Sequence, residues 1–134
     1  LQLAVWDFNN GFDNYQWFRT ETDALYTVEN SWFERLWQDK TFRKCVCERY
    51  RQLRKTTLSD EYIYDKIASY QEELGDAVDR NFKVWGYSFD ETLLAGTTKE
   101  GTSRDIGSYE EAVKQLTDTI RERLAYLDKE LGGN

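Results

Sequence analysis

One apolar stripe near the end of the chain constrains the fold most. Seven apolar or aromatic residues recur there at intervals of three or four positions: Tyr109, Val113, Leu116, Ile120, Leu124, Leu127 and Leu131. That spacing is the period of an α-helix with one buried face. Ser108 and Glu111 form a capping box before the stripe, and Gly132 follows it. The pattern predicts a long helix over residues 108–132, which must pack against other elements.

Three further helix starts precede this stripe. Ser31 with Glu34 is a capping box, and Asp39 can cap a second helix that runs to about Lys55. Ser59 opens a third, whose apolar stripe continues to about residue 86. Gly75 lies in the middle of it and marks the place for a bend or a break, because glycine weakens a helix by about 1 kcal/mol relative to alanine.

The beginning of the chain has a different pattern. Residues 1–8, LQLAVWDF, are nearly all apolar and predict a short strand, which the turn-forming cluster NNGFDN at residues 9–14 ends. We therefore expect a mainly α fold: a bundle of about four helices preceded by a short N-terminal strand or hairpin. The expected single domain has a strand and loop segment (1–28), helices (29–86), a loop (87–107) and the long helix (108–132).

The chain starts at Leu1 without an initiator methionine, so we expect a fragment of a longer protein. A lone strand must find neighbours for its backbone groups. Either it pairs with a second strand within residues 12–28, or its sheet partners precede the fragment. Its exposed edge could also pair with another copy of the chain and form a non-physiological dimer. The apolar opening is too short to span a membrane.

Composition excludes several classes of function. The chain has no histidine, which removes Ser-His-Asp catalysis and His-ligated zinc. It has 18 basic and 25 acidic residues, a net charge of −7, which argues against a nucleic-acid binder. Cys45 and Cys47 lie two positions apart in a predicted helix and point to different sides, so we expect one exposed and one half-buried thiol rather than a disulfide.

Asp7 lies where the predicted strand ends, with Asn9, Asn10 and Gly11 directly after it. A carboxylate on a strand and amide oxygens from a tight turn are ligands that suit a hard divalent cation such as Mg²⁺. The alternative is that Asp7 and Asn9 only cap the turn.

Several motifs resemble one known family when they are taken together and in order. They are Trp6-Asp7-Phe8-Asn9-Asn10-Gly11-Phe12, the aromatic helix before Asp39 and Phe42, Arg49-Tyr50, Leu53-Arg54, Leu58-Ser59, Arg80-Asn81 with Trp85, and Ser108-Tyr109-Glu110-Glu111 leading to Arg121, Arg123, Leu127 and Asp128. The chain resembles the C-terminal part of the CotH-type kinases, atypical protein kinases first named for a spore coat protein.

This resemblance implies that Asp7 binds Mg²⁺ beside the phosphates of ATP, with Asn9 as a second, less direct ligand. It implies a bacterial parent protein that phosphorylates Ser or Thr of a coat or cell-surface protein, and a spore-coat or extracytoplasmic location. Where the family often has glycine, this chain has Asp13. The family's nucleotide-binding lobe and catalytic-loop Asp precede this segment, so no catalytic residue and no bound cofactor are expected in the fragment itself.

Two other features allow a functional and a structural interpretation. Residues 40–55 hold seven basic residues and one acid, and Arg43, Arg51 and Arg54 share a helical face. They could dock phosphate or an acidic protein, or they could form a solvated face paired with Glu72, Glu73, Asp76 and Asp79. Asn81 lies beside an apolar stripe, where we expect a structural hydrogen-bonding role that ties its helix to the Asp7 loop. Trp6, Trp32, Trp37 and Trp85 are expected in the core.

The leading hypothesis is thus the helical C-terminal portion of a CotH-like kinase. The alternative is a non-catalytic helical interaction module of a coat or cell-surface assembly, which would bind its partner through the basic face or through exposed aromatic residues.

Overall fold

The computed structural model describes residue 12 and residues 21–29, 31–85 and 108–133. It contains five α-helices in these ranges: α1 (Ser31–Trp37), α2 (Lys40–Arg54), α3 (Asp60–Leu74), α4 (Ala77–Trp85) and α5 (Tyr109–Leu127). A 3-10 turn (Tyr26–Glu29) precedes α1, and a π-helical turn (Asp128–Gly132) follows α5. The mainly helical fold class is confirmed. The predicted strand at residues 1–8 and the loop at residues 87–107 lie outside the described residues.

Side-chain caps begin three of the helices at the predicted places. Asp39 accepts a hydrogen bond from the backbone N–H of Phe42 at 2.8 Å and starts α2. Ser59 accepts one from Tyr62 at 3.2 Å and starts α3. Ser108 accepts one from Glu111 at 3.1 Å and precedes α5. Each cap satisfies a backbone donor that the helix itself leaves without a partner.

Gly75 divides the third predicted helix into two. Its backbone has φ 41° and ψ −129°, a conformation that residues with a Cβ rarely adopt, and its N–H donates to the carbonyl of Gln71 at 3.0 Å. α3 therefore ends at Leu74 and α4 begins at Ala77. The described ranges contain five α-helices where the sequence predicted about four, because the expected weak point is a complete break.

The end of the long helix changes its winding. α5 keeps α-helical geometry to Leu127, and the next five residues form the wider π turn. Leu131, the last member of the predicted stripe, is only 7% exposed, and Gly132 closes the turn. The predicted helix to residue 132 is confirmed in extent, with a last turn of a different type.

The chain divides into two compact units. The first comprises residues 22–75 and 121–134, and the second comprises residues 1–21 and 76–120. Tyr50, Leu124 and Leu131 are buried in the first unit and Ile120 in the second. Apolar side chains from residues 25–28, α1, α2 and the π turn surround a cavity of about 290 Å³ in the first unit, lined by Leu25, Val28, Phe33, Trp37, Phe42, Val46 and Leu131.

Two tryptophans do not lie in the core, and the prediction for them was wrong. Trp32 is 81% exposed and Trp85 is 78% exposed. α1 has only seven residues and is apolar on more than one side, so packing Phe33 and Trp37 inward turns Trp32 and Leu36 outward. Trp37, also expected in the core, is half-buried and lines the apolar cavity. No helix within the described ranges combines the length and apolar character needed to cross a membrane.

Candidate functional site

The predicted metal ligands Asp7 and Asn9 lie outside the described residues, so their role stays a prediction. Within the ranges that the structure describes, no three His, Cys, Asp or Glu side chains come together as a metal site. Both cysteines there are free, Cys45 exposed and Cys47 half-buried, as the helical spacing predicted.

Arg54, at the end of α2, takes part in several polar contacts. Its Nε donates to Oδ1 of Asp128, and its Nη2 donates to Oδ2, both at 2.9 Å. Two parallel hydrogen bonds from a guanidinium to a carboxylate are among the strongest polar contacts in proteins. This pair joins the C-terminal end of α2 to the first residue of the π turn.

Arg54 also contacts the segment that connects α2 to α3. Its Nη1 donates to Oδ1 of Asp60 at 2.8 Å and to the backbone carbonyl of Leu58. Asp60 is the first residue of α3, where a negative charge is favoured, and Arg54 is the last of α2, where a positive charge is favoured. One guanidinium therefore fixes three elements of the first unit.

Tyr50 completes this cluster one helical turn before Arg54. Its hydroxyl donates to Oδ1 of Asp128 at 2.7 Å, and its side chain is 6% exposed. Burial, and then the hydrogen bond to Asp128, hold the pKa of Tyr50 well above its usual value, so its hydroxyl stays protonated. We call Tyr50, Arg54, Asp60 and Asp128 the Arg54 cluster.

The charges in the cluster support one another. Burial acts to raise the pKa of Asp128, but the hydrogen bonds from Arg54 and Tyr50 outweigh it and the pKa lies below its ordinary value. The hydrogen bond to Asp128 is the main cause that raises the pKa of Arg54. Asp128 is ionised at neutral pH, and the cluster is a structural ion pair with no proton available for acid-base chemistry near pH 7.

Arg51 and Arg43, the other two predicted docking residues, have different surroundings. Arg51 donates through Nη1 to the carbonyls of Leu131 at 3.5 Å and Gly133 at 3.2 Å, which the end of the helix leaves without intrahelical partners. The guanidinium of Arg43 lies 5.1 Å from the ring centre of Trp37. The structure therefore brings Arg51 and Arg54 together at one end of α2, while Arg43 lies nearer the other end.

An open cleft of about 580 Å³ lies beside the Arg54 cluster. It is lined by residues of the last turns of α2 and of the π turn: Glu48, Tyr50, Arg51, Gln52, Arg54, Lys55, Asp128 and Gly132. Its walls carry three cations and two carboxylates, and one of those carboxylates, Asp128, is already neutralised by Arg54. The cleft suits a small anionic group better than a cation.

A second set of polar contacts in the first unit involves Arg123. Arg123 on α5 donates through Nη1 to the carbonyls of Thr22, at 2.9 Å, and Ala24. The hydroxyl of Thr22 donates to Oε2 of Glu122 at 3.3 Å. These contacts hold residues 22–24 against α5. Arg123 belongs to the motif set noted in the sequence, but nothing in its spacing indicated which backbone it would bind.

The sequence did not predict the Arg54 cluster as a unit, although its motifs include Tyr50, Arg54 and Asp128. Tyr50 and Arg54 lie four positions apart on one helical face, a spacing that brings two side chains together. Their acidic partner could not be selected from the sequence. Asn81 lies on α4 with an exposed side chain. The Asp7 loop that it was predicted to contact lies beyond the part of the chain described.

Comparison with known proteins places these features in a family. Over residues 1–127 the sequence matches the family described as CotH kinase protein. No curated protein and no solved structure matches it. The match covers Asp7, the Arg54 of the cluster and the Arg123 anchor, and stops one residue before Asp128. Because it spans nearly the whole sequence, this chain belongs to the CotH kinase family.

Proposed function

We propose that this chain forms the metal-binding and C-terminal helical part of an atypical protein kinase, which transfers the γ-phosphate of ATP to Ser or Thr of a partner protein. The observation that carries the proposal is the family match over residues 1–127, whose description names a kinase. The partner that we propose is a coat or cell-surface protein, as the resemblance to spore coat kinases implies.

The proposed metal ligands are Asp7 and Asn9. A carboxylate and an amide oxygen are the donor types that Mg²⁺ prefers. When bound, Mg²⁺ would neutralise negative charge on the phosphates of ATP. Phosphoryl transfer depends on positioning and charge neutralisation and needs no histidine, which agrees with the absence of that residue from the chain.

The described helices support a scaffold role in this proposal. The Arg54 cluster fixes α2, the start of α3 and the π turn to one another through bonds of 2.7–2.9 Å. The pKa shifts keep Asp128 ionised and Tyr50 protonated at neutral pH, so this pair stabilises the fold and does not exchange protons. In this proposal the segment around Asp7 binds the metal for phosphoryl transfer, and the described helices stabilise the fold.

The test compares Asp7→Ala with Asp13→Ala in the full-length protein. The measurement is transfer of labelled γ-phosphate from Mg-ATP to an array of Ser and Thr peptides. Loss of a metal ligand should reduce transfer at least about 10- to 100-fold. Asp13 is a carboxylate of the same segment at a position where relatives often have glycine, so Asp13→Ala should stay within about twofold of the wild type.

Unchanged transfer by Asp7→Ala would exclude the metal role. Absence of transfer by the unsubstituted protein would contradict the kinase proposal and favour the alternative function, a helical interaction module. The rate of transfer is also measured as a function of Mg²⁺ concentration. If Asn9→Ala needs a higher Mg²⁺ concentration than the wild type to reach the same rate, the result would support Asn9 as the second ligand.

A further inference from the structure

α2 carries a cationic face, and most of its charged side chains are exposed to solvent. At 100° per residue, five cations of α2 and its C-cap residue fall within about 120° of the helix circumference: Lys40, Arg43, Lys44, Arg51, Arg54 and the cap Lys55. The apolar residues Phe42, Val46 and Leu53 lie on the opposite side, and Phe42 and Val46 line the apolar cavity. Glu48 lies at the edge of the cationic face and is the one acid of the helix.

The structure separates these six cations into two groups. Arg54 is bound by Asp60 and Asp128. Lys40, Arg43, Lys44 and Lys55 are exposed, and Arg51 is half-buried. Lys44 contacts Glu48 at 3.8 Å, with both side chains largely in solvent, an exposed pair of small energy that a partner's carboxylate could replace. Among the described residues, the ion pairs of α2 go to Glu48, Asp60 and Asp128, and none of them goes to Glu72, Glu73, Asp76 or Asp79, the acids named in the structural interpretation.

The cleft at the C-terminal end of α2 continues this face. Arg51 and Lys55 both line it. Arg51 donates two hydrogen bonds through Nη1, and its Nε and Nη2 have no acceptor among the described residues. A carboxylate placed there would meet a guanidinium edge and an ammonium group. Two acids line the cleft: Asp128 would repel a bound carboxylate only weakly because Arg54 holds both of its oxygens, and Glu48 lies 3.8 Å from Lys44.

We infer that the cationic face of α2 and the adjoining cleft dock a short acidic segment, rich in Asp and Glu, of a partner protein. Charge complementarity selects the partner, since the face carries an excess of positive charge on a chain whose net charge is −7. The 15 residues of α2 span about 22 Å, the length of about seven residues of extended peptide. The net negative charge disfavours broad polyanionic surfaces such as membranes or duplex nucleic acid.

This inference is independent of the proposed phosphotransfer, because binding is measured without ATP or Mg²⁺. The probe is a fluorescein-labelled peptide of about eight residues in which Glu alternates with Gly and Ser, and the readout is fluorescence anisotropy with the full protein. The matched peptide has Gln at each Glu position. We expect the Glu peptide to bind, the Gln peptide to bind at least about tenfold more weakly, and added salt to weaken binding.

The variant pair keeps the total charge equal. The test variant is Lys40→Gln/Lys44→Gln/Lys55→Gln, and the control is Lys66→Gln/Lys83→Gln/Lys129→Gln, three lysines on other elements. None of the six contributes to the Arg54 cluster, and circular dichroism verifies that both variants fold. We expect about a tenfold loss of affinity in the test variant and a change within about twofold in the control.

Three results would overturn the inference: equal losses in the two variants, equal binding of the Glu and Gln peptides, or no binding of the Glu peptide to the unsubstituted protein at low salt. Tighter binding to phosphatidylserine vesicles than to the Glu peptide would also overturn it and assign the face to a lipid surface. None of these binding results depends on whether Asp7→Ala changes phosphotransfer, so the two proposals can fail separately.

Discussion

Arg54 holds both carboxylate oxygens of Asp128, a residue 74 positions later in the chain, through two hydrogen bonds of 2.9 Å. The same guanidinium binds Asp60 at the start of α3. A single side chain at the end of α2 therefore links segments that are far apart in the sequence. No side chain in the described ranges is fully buried, so the apolar core is small. The Arg54 contacts therefore contribute stability that a larger core would otherwise provide.

Removing the carboxylate of Asp128 should destabilise the protein. Asp128→Ala leaves Arg54 with one remaining carboxylate and the buried hydroxyl of Tyr50 without its acceptor. Asp128 is 44% exposed, so solvent screens part of the charge interaction. We expect a decrease of about 1–2 kcal/mol in the free energy of unfolding. Urea denaturation measures it, and Glu48→Ala, which removes the exposed pair with Lys44, should cost no more than about 0.5 kcal/mol.

The ion pair between Arg54 and Asp128 also predicts that the stability of the protein depends on pH. The pKa of Asp128 is lower in the folded protein than its ordinary value. A carboxyl with a depressed pKa contributes stability that is present above its unfolded pKa, about 4, and is lost as the pH falls through the folded pKa.

Urea denaturation across pH tests this dependence. The difference in unfolding free energy between the wild type and Asp128→Asn should be constant above about pH 5 and should shrink steadily as the pH falls to about 2. A difference that does not change with acid would contradict the assigned pKa shift.

Substitution of Gly75 should destabilise the protein because of the backbone conformation at this position and not because a side chain would clash. A Cβ at this position would meet the carbonyl oxygen of Glu72 at 3.5 Å, an ordinary contact, but φ is 41° and ψ is −129°. We expect Gly75→Ala to lower the free energy of unfolding by about 1–3 kcal/mol. Gly133→Ala is the matched control: φ is −61° there, and thermal denaturation should show little change. Similar losses in both variants would contradict a conformational cause.

The features that the sequence predicted correctly are local. A capping side chain binds an N–H three residues away, as Asp39, Ser59 and Ser108 do, so a short motif contains the whole interaction. The break at Gly75 is likewise a property of one residue type in a helical pattern. The apolar stripe of α5 predicted its length for the same reason.

The Arg54 cluster and the Arg123 anchor depend on tertiary structure, and the sequence could not define them. With 18 basic and 25 acidic residues in the chain, spacing does not select Asp128 as the partner of Arg54. The sequence showed that α2 is rich in basic residues. Only the structure shows that Arg54 forms an ion pair with Asp128, whereas Lys40 and Lys55 are exposed. The exposed Trp32 shows the same limit, since its helix is apolar on more sides than its neighbours can cover.

Arg123 should control the local stability of residues 22–24. Its guanidinium donates to the carbonyls of Thr22 and Ala24, and lysine has a single ammonium group that lacks the planar geometry for both. We expect Arg123→Lys to lower the free energy of unfolding by about 1 kcal/mol and to increase amide hydrogen exchange in this segment several-fold. Arg49→Lys, which affects an exposed arginine bonded only weakly to Gln52 at 3.4 Å, should leave exchange there unchanged. Equal exchange in Arg123→Lys and the wild type would show that other contacts hold the segment on α5.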